Sequence, residues 1–111
     1  MKRGDIFLAN LDPTIGAEIS KKRPVLIVSN NINNKFSDCV TILPITSSTS
    51  KVYPFEVFIS SKESELEYDS KIKANQIRTI DKKRLIKQIA FLPQKLLKNV
   101  NNAIKIHLDL V

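Results

Sequence analysis

The sequence predicts an α+β protein: a small antiparallel sheet curled into a partly open, SH3-like β-barrel, followed by a C-terminal amphipathic helix. Three observations predict it. Short runs rich in β-branched and aromatic residues recur along the chain, each bounded by a polar or proline-bearing stretch. Apolar residues adopt a long helical spacing only after Pro93. The length, 111 residues, suits one compact domain over 1–111.

The elements follow in order. "DIFLANL" (5–11) is a strand apolar on both sides, ended by Asp12-Pro13. "DPTIGAEISKKR" (12–23) is a loop. "VLIVS" (25–29) is a second strand, entered through Pro24. The Asn-rich stretch 30–34 reads as a polar loop. "CVTILPI" (39–45) is a third strand, and "TSSTSK" (46–51) the polar cluster after it. "FEVFI" (55–59) is a fourth strand. "SKIKANQIRTI" (70–80) reads as one fifth strand, whose alternation sets Ile72, Ala74, Gln76 and Arg78 on one face running from core to cleft. Asp81 suits the N-cap of a short helical turn, and "KQIAFL" (87–92) is a last strand. Leu96, Val100, Ala103, Ile104 and His107 then share one helical stripe.

Net charge is +7, which favours a polyanionic partner. The excess lies in 71–87, where Lys71, Lys73, Arg78, Lys82, Lys83, Arg84 and Lys87 face Asp81 alone. The N-terminal stretch lacks the apolar core of a secretion signal, because Asp5, Asn10 and Asp12 interrupt it. No apolar run approaches the ~20 residues that a membrane helix needs. The single cysteine, Cys39, excludes an internal disulfide. A cytoplasmic protein with no membrane association is the expectation.

Several chemistries are disfavoured by count. One histidine, His107, excludes a two-histidine acid/base mechanism and reads as a structural helix residue. One His and one Cys make an ordinary zinc set improbable, and two glycines make no phosphate-cradling loop. The acidic series Glu63, Glu65, Glu67, Asp69 reads as a solvated turn, so no metal and no cofactor are expected. Cys39 sits in an apolar strand and packs.

Arginine, hydroxyl and amide groups remain. Arg23 stands at the mouth of an apolar strand. Pro24 keeps it out of helical conformation, and "VLIV" anchors the backbone behind it. Thr46, Ser47 and Ser48 follow the third strand; Gln76 and Arg78 share a face of the fifth. Arginine grips phosphate oxygens in bidentate fashion, and hydroxyls donate to the same oxygens, so such a set can stabilise charge on phosphorus without a metal.

"RGDIFLANLDPTIGAE", "KRPVLIVSN", "VTILPITS", "NQIRTIDKKRL" and the terminal helix, in that order, resemble the MazF/PemK family of toxin endoribonucleases over essentially the whole chain. The resemblance implies a PemK-type barrel and a homodimer that cuts single-stranded mRNA independently of the ribosome. It implies neutralisation by a cognate MazE-like antitoxin with an acidic tail. It maps the catalytic pair onto Arg23 and Thr46, and substrate-binding positions onto Glu18, Ser47, Gln76 and Arg78. The chain departs from the family pattern at Ile19, where a polar residue is common. Two other readings compete: a gyrase-poisoning toxin of the CcdB type, which shares the fold, and a non-catalytic RNA-binding barrel.

Overall fold

The computed structural model describes residues 1–110. Seven strands run β1 (Asp5–Asn10), β2 (Lys22–Ile27), β3 (Cys39–Thr46), β4 (Glu56–Ile59), β5 (Ser70–Lys73), β6 (Arg78–Asp81) and β7 (Leu85–Phe91). Helices α1 (Asn31–Phe36), α2 (Ser61–Ser64) and α3 (Gln94–His107) join them. The sheet order is β4-β5-β3-β2-β1-β7, with β6 also on β3, and every pairing is antiparallel. β6 and β7 are joined by the 3-10 turn Lys82–Arg84, so β7-β1-β2-β3-β6 curls into the expected partly open barrel.

Side chains alternate along each strand and fill two cores. Ala9, Leu11, Val25, Ile27, Val40, Ile42 and Ile80 fill the barrel. The opposite face, with Ile6, Leu26, Leu43, Ile45 and Ile72, packs under α3 through Leu96, Leu97, Val100 and Ala103. The helix therefore buries Leu96, Val100 and Ala103 of the predicted stripe with Leu97 added, while Ile104 is half-buried and His107 is exposed at its end, 6.3 Å from the Phe55 ring.

Three expectations are corrected. Residues 30–34 are not a loop. They begin α1, where the Asn30 side chain accepts from the Asn33 N–H at 2.8 Å, and buried Asn34 donates to the Ser29 carbonyl at 2.8 Å. Local capping forms this turn without apolar periodicity, since Ile32 and Phe36 point outward. Cys39 is half-buried at the start of β3 rather than packed inside it.

The third correction is larger. Residues 70–80 are two strands separated by the 3-10 turn Ala74–Gln76. The cause lies on β3. The Val28 N–H donates to the Thr41 carbonyl at 2.9 Å, so Thr41 and Leu43 turn their backbone groups towards β2. Ile42 and Pro44 then turn theirs towards β5 and β6. Pro44 has no N–H to offer there. The ladder runs to Ile42↔Arg78, breaks, and resumes at Ile45↔Ile72, expelling residues 74–77 from the sheet. The turn at Asp81 is as expected, its carboxylate accepting from the Lys83 N–H at 2.7 Å.

Candidate active site

Arg23 and Thr46 owe their setting to a second proline. The Leu11 N–H donates to the Lys21 carbonyl at 2.9 Å, which turns the backbone groups of Arg23 and Val25 towards β1 and those of Pro24 towards β3. Pro24 cannot donate there, and the β2–β3 ladder ends at Val25↔Pro44. Two residues beyond that last pair come Arg23 on β2 and Thr46 on β3. By alternation both share the face of Val25 and Ile42, so they stand at the mouth of the barrel. Both are half-buried. Arg23 Nε donates to the Ser20 carbonyl at 3.2 Å, and Thr46 Oγ1 accepts from the Ser48 N–H at 3.2 Å. Arg23 has no carboxylate partner among the described residues. Its charge is free for an anion.

Gln76, Arg78 and Glu18 meet at the same end. They line a recess of about 350 Å³ with Leu11, Ala17, Ile19, Pro44, Asn75 and Ile77. Its wall exists because Pro44 expels the 74–77 segment. Gln76 and Arg78 are not idle there. Gln76 Oε1 accepts from the Ile19 N–H at 2.7 Å, and its Nε2 donates to the Ala17 carbonyl at 3.2 Å. Arg78 Nη1 donates to the Leu11 carbonyl at 3.0 Å. The 11–21 loop is thus latched over the recess by two residues expected to bind substrate. Ile19 packs on the barrel core beneath it, an apolar anchor for the latch. Glu18 is exposed, its carboxylate accepting from the Ile15 N–H.

Ser47 stands apart from this group. It is exposed and borders a second recess, also about 350 Å³, shared with Lys22, Arg23, Pro24, Ile45, Glu67 and Tyr68. Glu67 reads in the sequence as part of a solvated turn, and Tyr68 carries no reading there. Their approach to Arg23 depends on folding, because nothing local links residues so far apart in the chain.

The basic segment 71–87 is not one patch. Lys71 and Lys73 turn inward onto Glu56, at 3.1 Å and 3.0 Å. Lys82 Nζ donates to the Asn34 carbonyl at 2.7 Å, and Arg84 donates to the carbonyls of Asn10 and Asp12. Among the described residues no group of three or more His, Cys, Asp or Glu side chains is placed to hold a metal. No helix among them is long and apolar enough to cross a membrane.

Residues 2–108 match the family described as PemK-like, MazF-like toxin of type II toxin–antitoxin system. The chain is 43% identical to Endoribonuclease MazF of Staphylococcus saprophyticus, over 99% of this chain and 92% of that protein. It is 38% identical to Endoribonuclease MazF9 of Mycobacterium tuberculosis, over 99% and 98%. In structure it resembles a chain of the MazE–MazF crystals of Deinococcus radiodurans, with a TM-score of 0.79 at 25% identity, covering 100% of this chain and 97% of that one. The chain belongs to the PemK-like, MazF-like family of toxins of type II toxin–antitoxin systems.

Proposed function

We propose that this toxin is an endoribonuclease, one domain over 1–111, that cleaves single-stranded mRNA without a metal ion. The observation that carries the reading is the pair at the barrel mouth. An arginine without a carboxylate partner and a threonine hydroxyl flank the point where Pro24 parts two strands.

The RNA 2′-hydroxyl attacks the adjacent phosphorus, and the bond to the 5′-oxygen of the next nucleotide breaks. The products are a 2′,3′-cyclic phosphate and a 5′-hydroxyl. Arg23 holds the non-bridging oxygens and stabilises the charge that builds on them. Thr46 donates a hydrogen bond to the same phosphate and orients it. A guanidinium offers donors and no acceptor, so Arg23 serves as clamp or as proton donor to the leaving oxygen, not as base. The proton leaving the 2′-hydroxyl passes to water or to one of the two carboxylates that border the recesses, Glu18 and Glu67. Ser47, Gln76, Arg78 and Glu18 contact the flanking nucleotides, whose unpaired bases splay into the recesses.

The chain acts in the cytoplasm as a homodimer. The outer edge of β7 supports the pairing: Ile86, Ile89 and Phe91 are exposed there at 49%, 37% and 65%. A MazE-like antitoxin with an acidic, initially disordered tail occupies the basic mouth and blocks it. The test is cleavage of a long RNA in excess chelator, beside the same oligonucleotide carrying 2′-deoxyribose. Cleavage of RNA alone is expected, ending in cyclic phosphate. Cleavage of the deoxy substrate overturns the 2′-hydroxyl mechanism, and no cleavage of any RNA overturns the enzyme.

A further inference from the structure

Glu56 is a buried carboxylate at the start of β4, a strand whose Phe58, on the same side, is exposed. A buried charge is costly unless paired, so its partners indicate what it is for. Oε1 accepts from the Tyr53 N–H at 3.0 Å and from Lys71 Nζ at 3.1 Å. Lys71 Nζ also donates to the Lys51 carbonyl at 2.6 Å. Both backbone bonds therefore go to one segment, the loop 47–55, which leaves Thr46 and returns to Glu56. Lys71 is itself the register partner of Thr46.

The second carboxylate oxygen faces another lysine. Glu56 pairs across the sheet with Lys73, whose ammonium lies 3.0 Å from Oε2. Lys73 immediately precedes the turn Ala74–Gln76, and the Ala74 N–H donates to the Phe55 carbonyl at 3.2 Å. Hydrogen bonds among loop groups alone would leave this loop exchanging with water. The buried ammonium of Lys71 fixes it from beneath.

Resting on the endoribonuclease reading above, we propose that Glu56 and Lys71 are positioning residues for cleavage. They tether the 47–55 loop and so hold Thr46 and Ser47 at the barrel mouth against Arg23. Neither touches RNA. Lys73 neutralises the second carboxylate oxygen but makes no bond to the loop, which supplies an internal control.

The experiment compares Lys71→Met, Lys73→Met and Lys71→Arg in the full chain, by steady-state cleavage, melting temperature and hydrogen exchange at the Tyr53 amide. Lys71→Met is expected to lower kcat by roughly ten- to a hundredfold, since small displacements of an orienting group have effects of that order, with little change in KM. Exchange at Tyr53 rises with it. Lys73→Met is expected to lower the melting temperature comparably but keep kcat within about twofold of the unmodified chain. Lys71→Arg, which retains a donor for the Lys51 carbonyl, restores most of kcat. Equal loss of kcat in the two Met variants, tracking melting temperature, overturns the tether, as does normal kcat in Lys71→Met. If Lys71→Met does not fold, an unchanged kcat and Tyr53 exchange in Glu56→Ala, which removes the acceptor, overturns it instead. An unmodified chain that cleaves no RNA fails the enzyme reading and is thereby distinguished from failure of the tether.

Discussion

The Ile19 N–H donates to Gln76 Oε1 at 2.7 Å, and the other end of the same amide donates to Ala17. Gln76 thus binds the 11–21 loop as a neighbouring strand would, through one donor and one acceptor. A substrate that uses the Gln76 amide must first displace the loop. Gln76→Ala removes the latch and leaves loop groups that water can satisfy. Each neutral hydrogen bond is worth about 1 kcal/mol, so amide exchange at Ile19 is expected to quicken roughly five- to thirtyfold. Melting temperature is expected to fall by several degrees. Unchanged exchange at Ile19 would mean that Ile19 packing alone holds the loop.

Pro24 is the reason the β2–β3 ladder stops short of Arg23 and Thr46. Pro24→Ala supplies an N–H facing β3, opposite Ile45, and allows the ladder one more pair. The amide at position 24 is expected to be protected from exchange, and the mouth to narrow. Cleavage should fall although no side chain of the site has changed. A freely exchanging amide with full activity would show that the strands part for another reason.

Arg23→Lys keeps the charge and loses the planar fork. Its kcat is expected to fall on the order of a hundredfold, as for loss of one transition-state donor, with melting temperature nearly unchanged. Activity within a few-fold of the unmodified chain would reduce Arg23 to general attraction for RNA.

The sequence made the barrel legible where its cause is local. "CVTILPI" and the centre of "VLIVS" are legible because β-branched runs with flanking prolines leave few alternatives, although β2 begins at Lys22, inside the expected loop, and ends at Ile27; Asp81 is legible because its capping partner is two residues away. The break at 74–77 was not legible. Its cause, Pro44, sits on another strand, and its effect depends on which way that proline's missing N–H points. The site divides in the same way. Arg23 and Thr46 enter the candidate site through motif residues matched in order along the chain, and the fold sets them two residues beyond the last β2–β3 pair. Glu67 and Tyr68 come to Arg23 only through folding. The loop tether was illegible because Glu56, Lys71 and Lys73 lie on two strands, and the lysines resembled the rest of a basic surface.

Glu56 also makes stability depend on pH. Burial alone would raise its pKa, but the Tyr53 N–H and the ammoniums of Lys73 and Lys71 outweigh it and hold the carboxyl below its usual value. The folded pKa then lies below the unfolded one, near the ordinary glutamate value of about 4.3. The contribution is therefore fully present above that value and is lost as pH falls through the folded pKa. Glu56→Gln leaves two inward-facing ammoniums without a counter-charge, and breaking a buried pair costs about 3 kcal/mol. That deficit is expected in full at pH 7 by denaturant unfolding. It should shrink as pH drops below the ordinary carboxylate range, because the unmodified chain loses the same charge there. A deficit that is constant from neutral to acid pH would mean that Glu56 acts through packing and its bond from Tyr53, not through its charge.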